Sequence, residues 1–154
     1  MASDNGLKVQ VEGLKEFRSG LKKFAPDVAK GLARQYKAIA ATAVDKATSR
    51  AAAVGGVAAH AAKNGAMKAV ASQAYVAVRL DAKAVPTAFG AEFGGGRFKA
   101  GNPTPAGGYT SQFKPHKGRV GYFLYPTIRE MRPDLETAFL DVIDEAAKSA
   151  FDKK

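Results

Sequence analysis

The stretch GAEFGGGRFKAGN, residues 90–102, decides how the chain is interpreted. Its crowded glycines, followed by Arg97 and Lys99, look like a phosphate-binding loop. Such loops require G-x-x-x-x-G-K-[ST], or G-x-G-x-x-G before a helix. The first pattern is absent, and the second begins at Gly94 and Gly96 but meets Lys99 where a third glycine is needed. We therefore interpret the glycines as a hinge at which the chain leaves a strand and enters a long basic loop.

Hydrophobic periodicity predicts the elements before this hinge. Residues 7–13 (LKVQVEG) alternate as a half-buried strand does, and residues 14–24 repeat apolar side chains at helical spacing. Pro26 suits the first turn of a second helix, which we expect to reach about Ala53 and to end at Gly55-Gly56. Residues 57–71 have weak periodicity and predict a short helix or an irregular arm.

The second half is predicted to contain two or three strands and a final helix. SQAYVAVRLD (72–81) alternates as a strand, and PTAFGAEFG (86–94) is interpreted as a strand or a turn followed by a strand. An extended loop follows at 94–119, and GYFLYPT (121–127) is expected to be a strand closed by Pro126. The last helix is expected to begin at Thr127, where Glu130 completes a capping-box spacing, with a slight break near Pro133.

The expected architecture is a single α+β domain over residues 1–154. Long N-terminal helices and a C-terminal helix pack on a small, mostly antiparallel sheet, and a long basic loop leaves it. The chain contains no cysteine, which excludes disulfides and thiolate metal sites. The N-terminus lacks the pattern of a signal peptide, and no apolar run approaches the ~20 residues that span a bilayer. We expect a soluble protein without a membrane partner.

The net charge of +10 is unevenly distributed along the chain. Seven bases lie within residues 15–37 and five within 95–121, where there is no acid, whereas 134–146 holds five acids and no base. Such a surface attracts polyanions or acidic proteins, and two basic regions with one acidic region can also attract copies of the chain head-to-tail. A solvated surface of uneven charge explains any one cluster equally well.

No catalytic set is legible, so we do not expect an enzyme or a cofactor. His60 and His116 stand outside any metal-ligand spacing, and the serines lack a nucleophile frame. Glu92 is the one acid within a largely apolar run. Because a buried carboxylate must be paired or protonated, we expect it to meet an arginine or to accept hydrogen bonds from backbone amides. The alternative is a general base.

The basic loop indicates binding to a macromolecule. Aromatic side chains beside cations can stack on bases, although no sequence-reading motif is present. Ordering backbone costs roughly 1–2 kcal/mol per residue, and we expect that a small domain does not recover this cost over so long a loop. We therefore predict that residues 97–119 are mobile in the isolated protein and fold against a partner. The expected interface consists of Arg97, Phe98, Lys99, Tyr109, Phe113, Lys114 and Arg119.

Three segments resemble the tail-component, or head–tail joining, proteins of long-tailed bacteriophages. These are VEGLKEFRSGLKKF (11–24), AFGAEFG (88–94) and GYFLYPTIREMRPDLETAF (121–139). They occur in the family's order and span most of the chain, although residues 50–71 depart from its pattern. The family's E-F-G tripeptide matches Glu92, Phe93 and Gly94, and its second motif matches Phe123, Leu124, Pro126 and Ile128, with Thr127 where alanine is common.

The resemblance implies a non-enzymatic virion protein that assembles as a ring in the neck. Its partners would be further copies of itself, in a sixfold or twelvefold ring, and neighbouring connector, tail-terminator or tail-tube proteins. Non-specific contact with DNA passing through the lumen is also expected. The implied location is the virion, reached from the host cytoplasm during assembly. The alternative function is that of a nucleic-acid-binding accessory protein.

Overall fold

A computed structural model describes residues 7–9, 13–71, 76–95 and 112–152. The fold is α+β, as predicted. In chain order the elements are β1 (Leu7–Val9), α1 (Leu14–Phe24), α2 (Pro26–Val54), α3 (Gly56–Lys63), β2 (Met67–Ala71), β3 (Val76–Leu80), α4 (Ala88–Phe93), a 3-10 turn (Gly118–Val120) and α5 (Leu124–Phe151).

The sheet has three strands in the order β1-β3-β2. Strands β1 and β3 are antiparallel, with Leu7 opposite Val78 and Val9 opposite Val76. Both strands were predicted from alternation. Strand β2 was not, because residues 57–71 were expected to be a helix or an arm. A run rich in alanine has little β propensity, so its strand structure depends on pairing with the rest of the sheet.

The chain divides into two compact units. Unit 1 comprises residues 1–44, 69–79 and 130–154, and unit 2 comprises 45–68 and 80–129. In unit 1 the part of α2 up to Val44 buries one side chain per turn, mostly alanine, and Tyr36 is its largest. The Tyr36 ring meets Phe139 of α5 edge-on, with centroids 5.2 Å apart. Burial raises the pKa of Tyr36 to about 12, opposed by the nearby Arg18 guanidinium.

Unit 2 contains a separate apolar centre. Its largest fully buried side chains are Phe123, Leu124 and Val85, together with the carboxylate Glu92. Most of the other buried residues are alanines of α3, α4 and the end of α2. Small side chains let helices approach closely. The apolar surface that this removes from water stabilises the fold by about 25 cal/mol per Å² buried.

Two segments that were predicted as strands contain no strand. Residues 88–93 form α4, because Ala88, Ala91 and Glu92 are buried at a helical spacing of three and four. The prediction was wrong because the bulky residues Phe89 and Phe93 frame Ala91 in an apparent alternation. The expected strand at 121–127 is likewise wrong, since residues 121–123 form no strand and α5 begins at Leu124.

The final helix begins three residues earlier than predicted. It starts at Leu124 rather than Thr127, and it runs through Pro133 without a break. Pro126 therefore lies in the first turn, where a missing N–H removes no intrahelical hydrogen bond. At the other predicted boundary α2 does end at Val54, but Gly56 already belongs to α3, so only Gly55 separates the two helices.

Candidate functional site

Glu92 belongs to α4, contacts the start of α5 and is completely buried. Its Oε2 accepts hydrogen bonds from the backbone N–H of Phe123 at 3.1 Å and of Leu124 at 2.9 Å, and its Oε1 accepts one from Tyr125 at 2.9 Å. The main chain adds a fourth contact, because the Tyr122 N–H donates to the Glu92 carbonyl at 2.8 Å. The expectation that this carboxylate accepts hydrogen bonds from backbone amides is confirmed.

These contacts give α5 its N-terminal cap. The first N–H groups of a helix have no partner inside the helix, and its positive dipole end favours a negative charge. A cap normally comes from the residue immediately before the helix. Here it comes from a residue about 30 positions earlier in the chain, so the glutamate also fixes where α4 lies relative to the start of α5. The predicted capping box at Thr127 and Glu130 is therefore not the cap.

Burial dominates the acid–base behaviour of Glu92. Removal from water raises the pKa of its carboxyl above the ordinary glutamate value. The hydrogen bonds from Tyr125, Leu124 and Phe123 act in the opposite direction, since they favour the charged form. The net effect favours the protonated form of this carboxyl more than in a solvated glutamate.

Phe93 and Gly94 complete the joint that Glu92 begins. The Phe93 ring meets Tyr125 edge-on at 5.3 Å and stacks on Phe89 at 6.3 Å. Gly94 has a φ of 79°, and a side chain there would collide with the main-chain oxygens of Lys114 and Pro115. The three residues of the E-F-G tripeptide therefore have three separate tasks: capping a helix, packing on it, and allowing close approach of a second chain segment.

That second segment, residues 112–123, packs on α4. An added Cβ at Gly90 would collide with the Phe113 ring, and one at Gly95 would crowd the Phe113 side chain. Gly95 donates its N–H to the Lys114 carbonyl at 2.9 Å, and the Lys117 N–H donates to the Phe93 carbonyl at 2.8 Å. The predicted hinge at the glycine run is thus a place where two backbone segments touch.

A basic surface covers the outer side of this segment. The Lys117 and Lys114 ammonium groups lie 4.5 Å and 5.9 Å from the centre of the Tyr122 ring. Tyr122 is held in place because its hydroxyl donates to the Pro115 carbonyl at 2.6 Å. Arg129 reaches back from α5 and donates to the carbonyls of Val120 at 2.6 Å and Arg119 at 3.3 Å. Both lysines are close enough to the Tyr122 ring to be attracted to its aromatic face.

The residues predicted to form an interface are only partly within the described ranges. Phe113 is half-buried, and Lys114 and Arg119 are exposed. Arg97, Phe98, Lys99 and Tyr109 lie outside the described residues. Contacts within the chain hold residues 113–117, whereas the prediction of a loop that folds against a partner stays a prediction for 97–111.

Sequence reasoning missed Asp81, which organises the exit of β3. Its Oδ1 accepts hydrogen bonds from the backbone N–H groups of Lys83 and Ala84, each at 3.1 Å. Its Oδ2 accepts a hydrogen bond from Lys68 Nζ at 2.8 Å. The bonds to Lys68 and Ala84 are the largest causes that lower the pKa of Asp81 to about 2. An aspartate two residues before a turn amide is a known turn signal, and it could have identified this site.

The remaining candidates have no shared geometry. His60 is exposed in the last turn of α3, and His116 is exposed beside Lys117. Within the described residues, no group of three histidine, aspartate or glutamate side chains could hold a metal ion. None of the described helices is both long and apolar enough to cross a membrane.

Comparisons with known proteins add no relative. No family model, curated protein or solved structure matches this chain.

Proposed function

We propose that this protein is a structural subunit of a long-tailed bacteriophage virion. In this proposal it forms a ring in the neck that joins the capsid connector to the tail tube. The ring is sixfold, with twelvefold as the alternative, and its neighbours are connector, tail-terminator or tail-tube proteins. The protein would act without catalysis, in the virion, after synthesis in the host cytoplasm.

One observation carries this proposal. The two short motifs of the phage resemblance, Glu92–Gly94 and Phe123–Pro126, are distant in the chain but meet through the carboxylate of Glu92. Motifs that share one structural joint are expected to occur together, which supports treating them as one signature. The joint also assigns Glu92 a structural task, because both of its oxygens already accept hydrogen bonds.

The distribution of charge supports assembly. The five acids at 134–146 lie exposed on α5, and the bases of α1 and α2 are mostly exposed. Surface ion pairs contribute only about 0–1 kcal/mol each. We expect charge to select the orientation of neighbouring subunits and buried apolar contacts to supply the affinity.

Detection in purified particles tests the proposal. Mass spectrometry of virions from the producing host should detect the chain, and cryo-electron microscopy should place it between capsid and tail. The purified protein should form ring-shaped particles, with or without its neighbours. Absence from purified virions would overturn the proposal.

A second candidate function rests on the basic surface of residues 114–122. Lys114, Lys117 and Arg119 are exposed, the two lysines lie near the Tyr122 ring, and the segment contains no acid. A cationic surface with an aromatic platform fits the backbone and bases of a nucleic acid. This candidate is a nucleic-acid-binding accessory protein, and the same surface would contact DNA in the lumen of a ring.

A further inference from the structure

The outer face of α5 exposes two large apolar side chains. Leu140 is 58% exposed and Phe151 is 70% exposed. They are eleven residues apart, which is three helical turns and about 16 Å along the axis, so they lie on one face. Asp144 lies one turn after Leu140 on this face, and Asp141 is next to it. We call this surface the α5 face.

The flank of the α5 face is acidic. Glu136 lies one turn before Leu140 and pairs with Arg132 at 2.7 Å. Asp141 and Asp144 are exposed. Between residues 134 and 152 the sequence has six acids and one base, Lys148. A partner for this face must therefore offer an apolar depression with a cationic rim.

Such a depression exists between α1 and α2. A groove of about 190 Å³ has an apolar floor formed by Pro26, Ala29 and Ala33. Its rim consists of Arg18, Lys22 and Lys30, and no acid among the described residues lines it. The Arg18 guanidinium lies 6.0 Å from the centre of the Tyr36 ring, which orients it. We call this surface the α1–α2 groove.

We propose that the α5 face of one copy docks in the α1–α2 groove of the next copy. The two surfaces are complementary in hydrophobicity and in charge. The exposed Leu140 and Phe151 would fill the apolar floor, and Asp141 and Asp144 would meet the cations of the rim. The surfaces differ, so the contact is head-to-tail, the kind that closes into a ring. This inference rests on the proposed function, because it names the contact between subunits of the proposed ring.

Two variants each remove one of the surfaces. Leu140→Ser with Phe151→Ser removes the apolar anchors, and Lys30→Glu with Ala33→Glu fills the groove and reverses its rim. Val120→Ser is the matched control, because Val120 is 55% exposed but lies in unit 2. Circular dichroism checks that each variant is folded. Light scattering then measures the mass of each protein at equal concentration.

The expected results distinguish this contact from others. The wild type and Val120→Ser should form oligomers, and each double variant should dissociate at least about tenfold more readily, as for aromatic anchors in other interfaces. A mixture of the two double variants should form a 1:1 dimer, because it contains one intact face and one intact groove. Dimers that form in the mixture, but in neither double variant by itself, would identify a head-to-tail contact.

Two results would overturn the inference. One is a wild type that stays monomeric, and the other is a Leu140→Ser, Phe151→Ser variant that keeps the wild-type mass. Neither outcome decides whether the protein occurs in virions, so failure of this contact remains distinct from failure of the proposed function. Conversely, a head-to-tail dimer in a protein absent from virions would support the contact and reject the neck assignment.

Discussion

Glu92 shows how one side chain can determine the position of a helix. Its two oxygens accept hydrogen bonds from three successive backbone amides, and it has no exposure to water. Gly121 is adjacent and has a φ of 69°, and a side chain there would collide with Oε1 of Glu92. The carboxylate therefore needs both the helix start and a residue without Cβ beside it.

Glu92→Gln should destabilise the protein by about 1–3 kcal/mol, the usual consequence of an unsatisfied buried polar group. The amide retains one acceptor but turns its N–H₂ toward a backbone donor. Chemical denaturation measures the difference from wild type. Glu145→Gln removes an exposed carboxylate of α5, the helix that Glu92 caps, and should change stability by less than about 0.5 kcal/mol.

The pH dependence of the same substitution has a definite sign. Because the pKa of Glu92 is raised in the folded protein, its contribution to stability is greatest below the ordinary glutamate pKa of about 4.3 and is lost as the pH rises through the folded value. The free-energy difference between wild type and Glu92→Gln should therefore shrink from acidic to neutral pH. A difference that grows over this range would contradict the raised pKa.

At the scale of elements, α4 depends on a contact with the segment at residues 112–123. Phe113 lies against Gly90 in the middle of this short helix. Glycine weakens a helix interior by about 0.5–1 kcal/mol relative to alanine. Its presence in α4 is explained by the ring that covers it.

Replacement of helical glycines tests this contact. Gly20 lies in α1, and a Cβ there would meet no atom within 4 Å. Gly20→Ala should therefore stabilise the protein by about 0.5–1 kcal/mol, as glycine replacement in an open helix position does. Gly90→Ala should instead destabilise it, because the Phe113 ring must move. If both variants gained stability equally, the segment at 113 would not be docked on α4 in solution.

At the scale of the whole molecule, the protein has a net charge of +10, and its basic and acidic residues lie in different segments. Such a protein attracts polyanions, and DNA is the polyanion considered for both candidate functions. The second candidate function assigns this role to Lys114 and Lys117 above Tyr122. The proposed ring needs only weak, sequence-independent contact with DNA. An accessory protein must instead bind nucleic acid as an isolated protein.

Fluorescence anisotropy with a DNA duplex distinguishes these cases. Lys114→Glu with Lys117→Glu should weaken binding and reduce the salt slope by about 2, one for each phosphate that a lysine no longer neutralises. Lys83→Glu changes an exposed lysine outside this surface and should reduce the affinity less. Negligible binding of the wild type at low salt would dispose of the accessory function and leave the neck proposal standing.

Sequence patterns predicted the elements whose signal is local. The stripe of α1, the first turn of α2 at Pro26 and the alternation of β3 each depend on neighbouring residues, and each prediction is confirmed. The strand predictions for residues 88–93 and 121–127 were wrong for a common reason. A short apolar run fits a buried strand or a buried helix equally well, and periodicity cannot separate them.

The sequence by itself determined the fold class, the two long N-terminal helices, the missing cysteine chemistry and the need of Glu92 for donors, because these follow from composition and short-range spacing. Only the tertiary structure decided which donors Glu92 meets, where α5 begins, and that Phe113 covers Gly90. Each of those contacts joins residues more than 20 positions apart. The energy that fixes them comes from burial and backbone hydrogen bonds formed after the chain has folded, which no local pattern encodes.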